Sequence, residues 1–114
     1  MTKEELISNF LLELRRGTVI LCVLAKLQTP TYGYALIGVL AASGIPIETN
    51  TLYPLLRRLE AQGLLASSWN VQDSPQPRKY YVTTAFGREV LQDMKQQWQA
   101  TANSLNNILK ESEQ

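Results

Sequence analysis

The residues with the clearest chemical meaning in this sequence lie on one side of the segment 48–63. If the segment is helical, with about 100° of rotation per residue, this side carries Asn50, Tyr53, Pro54 and Arg57, with Arg58 at its flank. Amide and guanidinium groups donate hydrogen bonds to base edges and phosphate oxygens. The side is therefore typical of a helix that contacts a nucleic acid. The alternative is an ordinary amphipathic helix whose polar side only faces water.

The other side of this segment is apolar and is predicted to pack. Its leucines follow the i, i+3, i+4, i+7 spacing of an amphipathic helix: Leu52, Leu55, Leu56 and Leu59. Gly63 is a C-terminal stop signal. Proline lacks an N–H and suits only the start of a helix, so Pro54 favours Asn50 or Thr51 as the N-cap. An earlier start predicts a bend near Tyr53 and Pro54.

The residue types that an enzyme needs are largely missing from this sequence. The chain has no histidine and one cysteine, Cys22, which lies among aliphatic residues and is predicted to be a small buried hydrophobe. No cluster has metal-ligand spacing, and no glycine-rich loop fits a phosphate. Glu89 and Asp93 are predicted to lie on a solvated helix face. We therefore expect a protein that is not an enzyme and that uses no metal or cofactor.

The composition is that of a small globular protein of 114 residues with room for one core. A formal net charge of +1 is too small to indicate nucleic-acid binding by itself. The charges are unevenly placed, however, because Glu60 and Asp73 are the only acids between Arg57 and Lys79. No apolar run reaches the length of a membrane span, and the start of the chain is not that of a signal peptide. A single cysteine fits a reducing compartment, so we expect a cytoplasmic location.

Hydrophobic spacing predicts the helices that position these residues. Residues 3–27 are predicted to be helical, as two pieces or as one helix bent around Gly17. Thr31 is the predicted N-cap of a second helix, which ends at Ser43 and Gly44. The predicted inward face of this helix consists of Tyr34, Leu36, Ile37 and Leu40. Residues 45–47 are predicted to link it to the segment 48–63.

Two segments with strand composition and a long helix follow. Residues 64–69 and 79–83 predict a hairpin, with the polar residues 70–77 at its tip. By alternation, one of Tyr80 and Tyr81 faces the core. Thr83 and Thr84 are the candidate caps of a final helix, whose last residues, 111–114, are expected to fray. The apolar seam of this helix consists of Leu91, Met94, Trp98, Thr101, Leu105 and Ile108.

Three helices followed by a two-stranded hairpin form the order of a winged helix-turn-helix, in which the third helix enters the major groove of DNA. The predicted fold class is mainly α with a small β-hairpin (α+β). Several specific motifs occur in this order: Tyr32-Gly33-Tyr34, Thr51-Leu52-Tyr53-Pro54-Leu55-Leu56-Arg57-Arg58-Leu59-Glu60, Gly63-Leu64-Leu65 and Arg78-Lys79-Tyr80-Tyr81, with Thr83 and Gly87. With these motifs, over roughly residues 15–110, the chain resembles the PadR family of bacterial transcriptional regulators.

The single long helix after the hairpin is similar to the compact branch of that family. The resemblance implies a dimer that represses genes and that, in some members, releases DNA when a small phenolic or hydrophobic compound binds. The chain departs from the family pattern at Ser74-Pro75-Gln76-Pro77, where the tip is not glycine-rich, and in having no histidine. The alternative function is a winged-helix adaptor that binds other proteins without reading DNA.

The predicted partner is double-stranded DNA, bound at an inverted repeat because a two-fold symmetric protein requires a two-fold symmetric site. The predicted groove contacts are Asn50, Tyr53 and Arg57. The predicted phosphate contacts are Arg58, Arg78 and Lys79. Thr49, Thr51 and Pro54 complete the predicted DNA-binding set.

The seam of the final helix is too long to be buried against so small a domain, which predicts a homodimer. The predicted dimerisation residues are Leu6, Phe10, Leu14, Leu91, Met94, Trp98, Leu105 and Ile108. Residues 1–83 are predicted to form the winged helix-turn-helix with its N-terminal helix, and residues 84–114 the dimerisation helix, together one compact unit. The alternative is that the seam folds back on the first helix of its own chain.

Trp98, in the middle of the seam, has two interpretations. Two indoles related by a two-fold axis either stack or hold the helices apart and leave an apolar gap. The resemblance implies the second, since in the family an aromatic residue near this position lines a gap that accepts planar ligands. The candidate contacts for a small aromatic or hydrophobic effector are Trp98, Met94, Phe10 and Leu11. The alternative is that Trp98 is interface core only.

Overall fold

The computed structural model describes residues 1–70 and 76–113. Its helices are α1 (Lys3–Lys26), α2 (Gly33–Ala42), α3 (Thr49–Ala61) and α4 (Ala85–Glu111). Its strands are β1 (Thr31–Tyr32), β2 (Leu65–Asn70) and β3 (Arg78–Thr83). This mainly α architecture with a small antiparallel sheet confirms the predicted fold class. Of the residues in the sequence predictions, Asp73, Ser74, Pro75 and Gln114 lie outside the described ranges.

The sheet has one strand more than the predicted hairpin. β1 pairs antiparallel with β3, with Thr31 opposite Tyr81 and Tyr32 opposite Tyr80, so the strand order is β1-β3-β2. The predicted N-cap Thr31 is therefore wrong: the N-cap of α2 is Tyr32, which makes no side-chain cap hydrogen bond. The physical reason is that a lone hairpin leaves one edge of β3 unpaired, and β1 supplies partners for its backbone groups.

The core lies where the second half of α1, α2 and α3 meet the sheet. Its buried apolar residues are Val19, Val23, Leu24, Leu27, Leu36, Leu40, Leu52, Leu56, Leu59, Leu64, Leu65 and Tyr81. The apolar side predicted for α3 is thus confirmed, with Leu55 at the edge of the core. α1 is one helix that continues through Gly17. Cys22 is half-buried against the core, as a small hydrophobe would be.

The inward face of α2 differs from the prediction at one residue. Leu36 and Leu40 are buried as predicted, but Tyr34 is 71% exposed. Residues two positions apart lie roughly 200° apart around a helix, so Tyr34 and Leu36 cannot share a face. Gly33 is buried instead, because the ring of Tyr53 on α3 packs on it; a Cβ at Gly33 would lie 2.5 Å from Tyr53 Cε1. A side chain at position 33 would therefore have to displace the Tyr53 ring.

Two threonines attach α4 to the rest of the fold. Thr84 is the N-cap of α4, as predicted, and its Oγ1 accepts a hydrogen bond from the Gly87 N–H at 2.9 Å. Thr83 has a different role, since its buried Oγ1 donates to the Leu24 carbonyl of α1 at 2.8 Å. A Cβ at Gly87 would collide with the Leu64 carbonyl oxygen. The start of α4 is thereby held against the connection between α3 and β2.

Candidate nucleic-acid interface

α3 begins earlier than its proline suggests. Its N-cap is Glu48, whose carbonyl accepts the Thr51 N–H at 3.0 Å, and its first residue is Thr49. The prediction that Asn50 or Thr51 is the N-cap is therefore wrong. Pro54 lies inside the helix on its exposed side, where water can satisfy the carbonyl that loses its partner. Three of the predicted DNA contacts, Thr49, Asn50 and Thr51, consequently lie in the first turn of α3, where the helix dipole favours an anion.

The polar side of α3 faces solvent because its leucine side is buried. Asn50, Pro54, Arg57 and Arg58 are exposed, as a surface that meets DNA requires. Tyr53 is half-buried, and its ring and hydroxyl lie over Gly33. Part of the Tyr53 side chain is therefore used to join α3 to α2, and the remainder is available for a contact.

We call β2 and β3 together the wing. At the start of β3, Arg78 is exposed, and its guanidinium carbon lies 4.5 Å from the centroid of the Tyr32 ring. Tyr32 also meets Tyr80 edge to face, with their centroids 5.7 Å apart. The face of an aromatic ring attracts a cation, so Tyr32 helps to orient the exposed Arg78. Of the two tyrosines left undecided by alternation, Tyr81 is the buried one.

Lys79 is held by partners within the chain. Its Nζ lies 3.4 Å from Oε1 of Glu60 on α3 and 5.3 Å from the centroid of the Tyr81 ring. Burial alone lowers the pKa of Lys79, but Tyr81 and Glu60 outweigh it and raise the pKa above its ordinary value. The Lys79 ammonium group is therefore stabilised in its charged form by groups of this protein.

Both carboxylate oxygens of Glu60 contact the wing. The Ser67 hydroxyl of β2 donates a hydrogen bond to Oε2, and Lys79 of β3 faces Oε1. The bond from Ser67 lowers the pKa of Glu60; burial opposes this, and Lys79 adds to the lowering, so the pKa stays below its ordinary value. Glu60 thus connects the last turn of α3 to both strands of the wing.

A cleft of about 580 Å³ opens between α3 and the wing. Its lining includes three cations, Arg57, Arg78 and Lys79. Its lining also includes the aromatic residues Tyr34, Tyr53 and Trp69. Sequence reasoning did not select Tyr34 or Trp69, which are 71% and 64% exposed. The sequence contained a signal for each residue. Tyr34 lies about 200° around the helix from Leu36, and Trp69 alternates onto the same strand face as Leu65. We name this space the wing cleft.

The apolar residues predicted to form a dimer lie mostly on open helix faces. Phe10, Trp98 and Ile108 are 61%, 51% and 60% exposed. Leu6, Leu14, Met94 and Leu105 are also exposed large hydrophobic residues. Leu91 differs, since it packs against the core of its own chain. α4 contacts α1 of the same chain along part of its length, yet this contact leaves most of the predicted dimerisation residues uncovered.

A shallow groove of about 240 Å³ lies between α1 and α4. Its apolar lining includes Leu14, Leu21, Met94 and Trp98. The structure therefore places two of the four candidate ligand contacts, Met94 and Trp98, on one groove. Phe10 and Leu11 do not line it and lie on α1 before Leu14. We name this space the helix groove.

An exposed polar third helix beside a two-stranded wing defines the winged-helix class of DNA-binding proteins. The particular family follows from comparison with known proteins, in which the model of the transcriptional regulator PadR-like family matches residues 20–93. The chain belongs to this family. It is a DNA-binding transcriptional regulator and not an enzyme, as the sequence predicted.

Similar proteins agree with this assignment. A PadR family transcriptional regulator from Eggerthella lenta has a similar structure, with a TM-score of 0.88 and 51% identity over 93% of this chain and 94% of that chain. A PadR-like transcriptional regulator from Bacillus cereus has a TM-score of 0.73 and 27% identity over 85% of this chain and 96% of that chain. Transcriptional regulator Rv3488 from Mycobacterium tuberculosis is 38% identical over 80 residues, or 69% of this chain and 74% of that protein.

Two further observations concern the described part of the chain. No helix in residues 1–70 and 76–113 is both long and apolar enough to cross a membrane. In the same residues, no group of three or more His, Cys, Asp or Glu could hold a metal ion.

Proposed function

We propose that this regulator is a homodimeric repressor that binds an inverted-repeat operator through α3 and the wing. The observation that carries the proposal is the wing cleft, where Arg57 of α3 and Arg78 of the wing expose guanidinium groups on one surface. Guanidinium groups bind guanine edges and phosphates bidentately. In the proposed complex Asn50, Tyr53 and Arg57 meet base edges, with Thr49, Thr51 and Pro54 beside them. Arg58 and Arg78 meet phosphates.

The open apolar faces of α1 and α4 support the homodimer. Side chains such as Phe10 and Ile108 are exposed to solvent in a lone chain, and clustered exposed apolar side chains mark interaction sites. A second copy of the chain supplies the same faces in return, as two-fold interfaces require. The proposed DNA partner and the single cysteine support a cytoplasmic location for this repressor.

The helix groove supports a small aromatic or hydrophobic effector. Trp98 is half exposed on this groove, and Met94 one turn earlier has a flexible side chain that adapts to different ligand shapes. In the proposed dimer, Phe10 and Leu11 extend the apolar surface around the groove. A planar compound held there would alter how the two α4 helices pack, and with it the spacing of the two α3 helices. That change in spacing is the proposed route to DNA release.

Operator binding can be tested without knowing the target promoter. The purified protein is used to select duplexes from a random pool, and enriched sequences are then tested by gel shift at moderate salt. We expect enriched sequences to contain an inverted repeat with half-site centres about 34 Å apart. Enrichment of sequences without two-fold symmetry contradicts the proposed mode of binding. Failure to retain any duplex favours the adaptor function.

The effector can be tested by Trp98 fluorescence. In a Trp69→Phe background, Trp98 is the single tryptophan, so its signal reports on the helix groove alone. We expect planar aromatic compounds to quench this fluorescence and to weaken operator binding in the unmodified protein. If a broad panel gives no quenching, and Trp98→Ala abolishes dimerisation, Trp98 has only a packing role.

A further inference from the structure

The position of Glu60 is unusual for a residue at a DNA-binding surface. It lies in the last turn of α3, one turn after Arg57, where the helix dipole disfavours a carboxylate. It also brings a negative charge next to the wing cleft, which is lined by cations. Both effects work against DNA binding unless the carboxylate has a specific partner.

Glu60 has such partners, and all of them belong to the wing. Oε2 accepts the Ser67 hydroxyl, and Oε1 lies 3.4 Å from Lys79 Nζ. Ser67 and Lys79 lie on different strands and share one face of the sheet, because Ser67 pairs with Tyr81 and Trp69 pairs with Lys79. One side chain therefore connects α3 to both strands of the wing.

From this geometry we propose that Glu60 is a positioning residue that sets the orientation of the wing relative to α3, and that Lys79 serves Glu60 rather than phosphate. This inference rests on the proposed operator binding. Lys79 is only about one third exposed, and a carboxylate already faces its ammonium group, so its charge is balanced within the protein. Arg78 differs, since it remains exposed and its guanidinium group lies over the Tyr32 ring, with no ion pair to an acid in residues 1–70 and 76–113. Arg78, not Lys79, is then the phosphate-binding cation of the wing.

The salt dependence of DNA binding separates these two roles. Each cation that meets phosphate contributes about 0.9 to the slope of log K against log salt concentration. We expect Arg78→Met to reduce the slope by about that amount for each protomer. Lys79→Met is expected to weaken binding to the selected operator at least threefold, or by about 0.7 kcal/mol or more, with the wild-type slope. A slope reduced as much by Lys79→Met as by Arg78→Met overturns the proposal.

The orientation of the wing can be tested without DNA. In a Trp98→Phe background the remaining tryptophan is Trp69, which lies opposite Lys79 on the wing. We expect Glu60→Gln to increase acrylamide quenching of Trp69, and Glu89→Gln, the same change on α4, to leave it unaltered. Glu60→Lys should show the same increase, and combining it with Lys79→Glu should reverse it.

The duplex selection and the Trp69 quenching together distinguish the proposed positioning role from the proposed operator binding. Wild-type protein that selects no duplex contradicts operator binding, whatever the quenching shows. Unchanged Trp69 quenching in both Glu60 variants contradicts the positioning role, even if DNA binding is intact. Circular dichroism of each variant verifies that the helices are retained, so that an increase in quenching reports on the wing and not on unfolding.

Discussion

Arg57 is the residue on which base readout depends most in the proposed complex. It is exposed on α3 and also lines the wing cleft. We expect Arg57→Ala to weaken operator binding by roughly 1–3 kcal/mol, if its guanidinium group meets a guanine, and to relax the preference at that base pair. Fluorescence anisotropy with the selected operator and its single-position variants measures both effects.

Arg58→Ala is the matched control, because it removes an identical exposed group from the flank of the same helix. We expect it to weaken binding to all duplexes alike and to reduce the salt slope. Unchanged affinity and base preference in Arg57→Ala would remove this residue from the readout.

Glu60 also predicts a pH dependence of stability. Its pKa in the folded protein lies below the ordinary value of 4.5, so the folded state favours the ionised form. The resulting stabilisation is present above pH 4.5 and is lost as the pH falls through the lowered folded value. The effect is small because the pair is about one third exposed.

Urea unfolding of wild type and Glu60→Gln at several pH values measures this contribution. We expect the wild type to be the more stable protein at pH 7, and the difference to shrink as the Glu60 carboxylate becomes protonated. A difference that stays constant down to pH 3 contradicts a charge-dependent role for Glu60.

At the level of elements, the attachment of α4 depends on a residue without a side chain. A Cβ at Gly87 would meet the Leu64 carbonyl and the Thr83 methyl group. Neither group can move freely, because Leu64 O accepts the Thr84 N–H and Thr83 is buried. We therefore expect Gly87→Ala to destabilise the fold by about 1–3 kcal/mol, as overpacking commonly does.

Gly38→Ala is the control for this substitution. Gly38 lies in α2 with nothing within 4 Å of a Cβ at that position, so alanine there should stabilise the protein by about 0.5–1 kcal/mol through helix propensity. Thermal unfolding of both variants gives the comparison. Equal effects from the two glycines would show that the close approach at Gly87 is unimportant.

For the whole molecule, the predicted homodimer explains why so much of α1 and α4 is apolar and uncovered. We expect light scattering at micromolar concentration to give twice the mass of the chain. Ile108→Glu places a charge on the 60% exposed end of the α4 seam and should shift the protein toward monomer.

Leu12→Glu is the control that tests whether a charge at any exposed apolar residue dissociates the dimer. Leu12 is 67% exposed but lies on the opposite side of α1 from Leu6, Phe10 and Leu14, so its substitution should leave the dimer intact. A wild-type protein that is monomeric under these conditions contradicts the dimer, and equal dissociation by both variants contradicts the assigned interface.

The local patterns of the sequence determined most of the elements of this protein. The leucine spacing of α3 predicted its buried and polar sides, Gly63 and Ser43-Gly44 marked helix ends, and Thr84 was a predicted cap. These features depend on residues within one or two helical turns of each other, so neighbouring residue types suffice to predict them. The motifs that carry the family resemblance are also local runs.

Only the tertiary structure decided which residues meet across those elements. β1 exists because β3 has a free edge, and Gly33 of α2 is buried because the Tyr53 ring of α3 lies against it. The pairing of Glu60 with Lys79 joins residues 19 positions apart. Hydrophobic period and capping signals describe which way a segment faces and where it ends, but they contain no information on which other segment lies against it. That choice depends on the packing of the complete core, and it placed Lys79, a predicted phosphate contact, beside Glu60 of α3.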